Sequence, residues 1–104
     1  MSALRRRLPD RRASTSFNYD AGELSYTATY SVFADGSIGE LFLNNHKSNS
    51  AANTNARDAA IAFSFAVQHG ADPEIIRRAL CRDSRGRASG PLGATLDIIA
   101  GSKR

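Results

Sequence analysis

A single cysteine, Cys81, is all the thiol that this chain of 104 residues carries. No intramolecular disulfide can form, and the lack of a paired-cysteine framework fits a reducing compartment, so a cytoplasmic location is expected. The same scarcity excludes radical-based nucleotide reduction by the chain alone, because that chemistry takes one cysteine for the thiyl radical and two more to supply electrons. Cys81, beside Leu80 on a predicted helix, reads as a small buried hydrophobe. Long apolar runs are missing too. Even Ala59 to Val67 falls well short of the roughly 20 residues that a membrane span requires, so no membrane partner is expected. The start, Met1 to Arg7, is basic but meets Pro9-Asp10-Arg11-Arg12 directly, without the apolar stretch of an export signal. Neither His46 nor His69 has the Cys/His or His/carboxylate spacing of a metal site, so no metal and no catalytic residue is assigned. His69 instead suits the negative end of a helix dipole.

Charge of one sign is scarce over most of the sequence. The formal net charge is +4, yet residues 1–12 hold five arginines and one aspartate, which accounts for all of it. The other 92 residues carry nine basic and nine acidic groups. A basic segment of this kind attracts polyanions through salt-sensitive counterion release but reads no sequence, so specific nucleic-acid binding is not expected. Residues 1–13 are read as a basic flexible tail, 14–101 as one domain and 102–104 as a short C-terminal tail.

The patterning that is present predicts an α+β fold. Phe17 and Tyr19 alternate within a short strand over Thr15 to Asp20. Strict alternation of Leu24, Tyr26, Ala28, Tyr30 and Val32 with Ser25, Thr27, Thr29 and Ser31 predicts a second strand with one packed and one wet face. Asp35-Gly36 is a favoured hairpin pair, since both central positions tolerate positive φ, and Ile38 to Leu43 continues as a third strand. Ser50, Asn53 or Thr54 then caps a helix that Gly70 stops. Its interior, Ala56 to Val67, is apolar on nearly every side and is expected to lie deep. Asp72-Pro73-Glu74 starts a second helix, packing through Ile75, Ile76, Ala79 and Leu80. Ser89-Gly90-Pro91 starts a third, carrying Leu92, Thr95, Leu96 and Ile99, with Gly101 at its end. A three-stranded antiparallel meander followed by three helices on one face of the sheet is the expected architecture.

The candidate binding stretch runs from Arg85 to Gly93. Glycines let a ligand approach the backbone, a helix N-terminus offers unpaired N–H groups, and Arg85 and Arg87 stand beside it. Ser89, Gly90, Leu92 and Gly93 complete the set. An anion or the acidic face of a protein partner would suit it, because arginine pairs with phosphate and carboxylate alike. His46 and Lys47, in a loop rich in Ser and Asn, are the second candidates, against the plainer reading of a solvated loop.

In order along the chain stand Arg6-Arg7-Leu8-Pro9-Asp10-Arg11-Arg12, Tyr26-Thr27-Ala28, the run from Asp35-Gly36-Ser37 to Leu43 with His46-Lys47, Gln68-His69-Gly70 and Gly90-Pro91-Leu92-Gly93. This series resembles the TSCPD domain, which ends vitamin B12-dependent ribonucleotide reductases and also stands alone. The resemblance spans about Arg6 to Gly101. It implies a non-catalytic accessory or regulatory domain associated with deoxyribonucleotide synthesis, acting by binding a reductase chain or a nucleotide. Adenosylcobalamin is the cofactor of the family's reductase barrel, and none is expected on this chain. The alternative is a stand-alone binding module for a small phosphorylated ligand; self-association stays open.

Overall fold

The computed structural model describes residues 4–102. Three strands, β1 (Thr15–Ala21), β2 (Leu24–Val32) and β3 (Ile38–Asn45), are followed by α1 (Ala51–Gln68), α2 (Pro73–Ala79) and α3 (Pro91–Ser102). The sheet is an antiparallel meander in the order β1-β2-β3, so the fold is α+β as expected. Register explains the core. Phe17, Ala28 and Leu43 lie opposite one another, as do Thr15, Tyr30 and Leu41, and Tyr19, Tyr26 and Asn45. The alternating residues of β2 thereby meet large side chains from both neighbours on a single face. Tyr19 and Tyr26 stack with ring centroids 5.5 Å apart.

The Asp35-Gly36 turn departs from the expected form. Only Gly36 takes a positive φ, +88°, while Asp35 does not. Gly36 N–H donates to the Phe33 carbonyl (2.9 Å) and Phe33 N–H to the Ser37 carbonyl (2.8 Å), which encloses Ala34, Asp35 and Gly36 in a three-residue loop. Asp35 instead accepts from the N–H and hydroxyl of Ser37. Past the turn, Ser31 pairs with Glu40 and Val32 with Ile38, leaving Gly39 as the extra residue of a bulge. The bulge brings Ile38 into the core alongside Leu41 and Leu43.

Ser50 caps α1, accepting the N–H of Asn53 at 3.1 Å. The helix buries Ala56, Ala60, Phe63 and Val67 against the sheet, yet Ile61 and Phe65 are each 49 % exposed. The expectation of a helix buried on nearly every side is corrected: one face packs, and an apolar opposite face meets solvent. Asp72 caps α2 by accepting the N–H of Glu74. Its packing runs through Ile76 and Leu80; Ile75, expected to pack, is 67 % exposed, Ala79 is exposed as well, and Cys81, expected to be buried on this helix, lies exposed past its end. Thr95, Leu96 and Ile99 of α3 are buried, and the helix continues through Gly101 to Ser102.

Residues 4–12, read from sequence as part of a loose tail, lie along β3 and the end of α1. Arg6 N–H donates to the Gln68 carbonyl (2.6 Å), and the Arg6 guanidinium sits 3.7 Å from the centre of the Phe33 ring. Arg12 makes a two-pronged contact with Glu40 at 2.8 and 2.9 Å. The arginine stems and rings make these contacts, which a net-charge reading does not anticipate.

Candidate functional site

The chain between α2 and α3 folds back on itself as a small hairpin, with Arg82 and Ala88 bridged across it. Asp83 organises the turn. Its carboxylate accepts the N–H groups of Arg85 (2.9 Å) and Arg87 (3.0 Å), while its own N–H donates to the Arg87 carbonyl (2.8 Å). Hydrogen bonds from the backbone of Arg87 and Arg85 hold the Asp83 carboxyl below its ordinary pKa. The amides of Arg85 and Arg87 are therefore already occupied by the chain's own carboxylate.

Three of the five arginines between residues 77 and 87 are also spoken for, Arg78 by Glu74 at 3.1 Å and Arg77 and Arg82 by Asp97. Arg82 grips Asp97 of α3 with two bonds of 2.8 Å, and Arg77 reaches the same carboxylate at 3.0 Å while pairing with Glu74. The bonds from Arg82, and then Arg77, hold Asp97 below its ordinary pKa, and Arg77 brings Glu74 down to about 2. Asp97 lies one helical turn beyond Gly93, which places both on the side of α3 that faces the hairpin. Gly93 is buried there: a methyl group on it would stand 3.0 Å from the Ala88 side chain, so its smallness admits the hairpin. Arg85 and Arg87 remain exposed, with Arg87 only loosely held by Asp83 at 3.3 Å.

A concavity of about 640 Å³ opens beside the hairpin, walled by Tyr19, Asp20, Asp83, Arg87, Ala88 and Asp97 among others. Of the stretch singled out from sequence, Gly86, Arg87 and Ala88 line it, and Arg87 brings its one arginine. Three carboxylates share its wall with that one arginine, so the concavity does not favour an anion. Ser89 and Gly90 are exposed at the start of α3, and Leu92 packs partly against the core. His46 and Lys47 line no part of the concavity. The His46 ring instead meets the Thr27 hydroxyl at 2.8 Å on the open face of the sheet, and Lys47 N–H donates to Asn45. Sequence reasoning missed Asp97 and Tyr19, whose hydroxyl reaches the Pro91 carbonyl at 2.9 Å and Thr95 at 2.7 Å and so ties β1 to the start of α3. An acid set one turn after Gly93 on a predicted helix was the available signal.

Replacing Asp97 by asparagine should cost about 1 kcal/mol at neutral pH, since the charge-assisted bonds are partly exposed. With the folded pKa depressed, the carboxylate's contribution is complete above the ordinary value of about 4 and is lost as the pH falls through the lowered native value. Urea midpoints of wild type and Asp97→Asn should therefore differ at pH 7 and converge in acid.

No family model, curated protein or solved structure matches the chain.

Proposed function

We propose that the chain is a non-catalytic accessory module of the TSCPD kind, associated with deoxyribonucleotide synthesis, and that it works by binding a reductase chain through the hairpin at residues 82–88. One observation carries the choice of a protein partner: Arg85 and Arg87 project to solvent from a hairpin whose amides and inner arginines are already satisfied by Asp83 and Asp97. Outward guanidiniums on a hydrogen-bonded hairpin suit the carboxylates of another surface better than they suit an enclosed phosphate. The order of motifs that resembles the TSCPD domain supports the choice of partner. On this reading adenosylcobalamin stays with the reductase, and the accessory chain acts on it by contact.

The test is calorimetric titration of the full chain into an adenosylcobalamin-dependent reductase that lacks a terminal domain of its own. Binding should weaken at high salt, and joint replacement of Arg85 and Arg87 by glutamate should weaken it about tenfold or more. Equal affinity of wild type and double variant would remove the hairpin from the account.

A further inference from the structure

Three of the exposed large apolar residues flank one seam: Phe42 on β3 (54 % exposed), and Ile61 and Phe65 on α1. They border two adjoining hollows, of about 170 and 150 Å³, that share Leu41, Phe42 and Ile61. The hollows follow the seam between α1 and the free edge of β3. Along that edge the backbone is unevenly satisfied. Leu41 N–H donates to the Ser64 hydroxyl (2.9 Å), whose oxygen lies 3.1 Å from the Leu41 carbonyl, and Asn45 N–H donates to Asn53 (3.0 Å). Alternate residues of an antiparallel strand turn their N–H and C=O to the same edge, so Leu43, midway between them, faces outward too. No partner for its edge groups lies among the described residues. Ala60, which lines the hollow beside Leu43, has no polar atom to offer.

The rim is cationic. Arg57 borders the first hollow and Arg5 the second, where it lies over the Phe65 ring at 5.0 Å; neither has an ion pair among the described residues. Glu40, the carboxylate nearby, is neutralised by Arg12. A second copy of the same seam would set arginines against arginines, which argues against symmetric self-pairing.

We propose that the seam is a docking site for a short extended segment of a partner protein. The segment pairs its backbone with Leu43, places apolar side chains in the two hollows and brings carboxylates to Arg57 and Arg5. This site uses none of the residues of the arginine hairpin, so it stands or falls apart from the proposed function.

The test titrates the labelled full chain with an acetylated, amidated hexapeptide alternating glutamate with valine, and with its counterpart carrying lysine for glutamate. The glutamate peptide should move the Leu43 amide downfield and slow its exchange, and at low salt it should bind up to about fivefold tighter than the lysine peptide. Arg57→Glu, at an exposed helical position, leaves Arg5 opposed by one new carboxylate and should erase that preference, and Ile61→Asp should abolish binding. A Leu43 amide that neither moves nor gains protection at millimolar peptide would overturn the proposal, as would equal affinity for the two peptides. Concentration-dependent shifts of the same amides without peptide would also overturn it, by naming a second copy as the occupant.

Discussion

Phe63→Ala is expected to lose about 3–5 kcal/mol of folding stability, a large share of what a domain of this size holds. Phe63 is 3 % exposed and sits where the buried stripe of α1 meets the sheet, in one cluster with Leu41, Leu43, Val67, Leu96 and Ile99. Truncation removes a ring from the centre of that cluster, and neighbours fixed in strands and helices can close only part of the space. Two residues along, Phe65→Ala should change stability by less than about 1 kcal/mol, because its ring is half exposed. Chemical denaturation of the pair tests which face of α1 is buried. Equal losses would show that the helix is seated differently.

Gly39→Val is expected to cost about 1–3 kcal/mol and to free the N-terminal segment. A side chain's first carbon at Gly39 would stand 2.9 Å from the tip of the Phe33 ring and 3.0 Å from the Leu8 side chain. Both would have to withdraw. Phe33 carries the Arg6 guanidinium on its face, so its displacement also breaks the contact that lays residues 4–8 on the hairpin. Trypsin, which cuts after arginine, supplies the readout: cleavage among Arg5, Arg6 and Arg7 should be several-fold faster in the variant under native conditions. Unchanged cleavage with unchanged stability would mean that the segment does not rest on Gly39.

The strands were legible because a half-buried strand writes its two faces into alternate positions, and β2 does so from Tyr26 to Tyr30. At its ends the expectation is corrected: Leu24 and Val32 are each 42 % exposed, and Ser31, expected on the wet face, is buried beside the Gly39 bulge. The cap at Asp72 was legible, and Ser50 stood as one of three candidates with Asn53 and Thr54, because short polar side chains favour that local task. The seating of α1 was not, since alanines, isoleucine and phenylalanines surround it and periodicity could not choose a face. Nor was the bulge at Gly39, which has no marker beyond a glycine in a strand. At the candidate site, sequence picked out Arg85 and Arg87 but not the pairing of the neighbouring arginines. Asp97, which binds Arg77 and Arg82, lies 20 and 15 residues away from them along the chain and arrives only through the packing of α3. The N-terminal segment was misjudged for a related reason: formal charge says nothing of guanidinium stems laid on Phe33 and Phe65.

The amide spectrum of the labelled chain, followed as an adenosylcobalamin-dependent reductase without its own terminal domain is added, tests the central claim most directly. The account predicts salt-sensitive perturbation of the amides from Arg82 to Ala94, abolished by replacing Arg85 and Arg87 with glutamate, while nucleotides and phosphate at millimolar concentration leave those amides in place. Amides at Leu92 and Gly93 that move with phosphate or nucleotide and stay still with the reductase would contradict it, and would assign the hairpin to a small phosphorylated ligand instead.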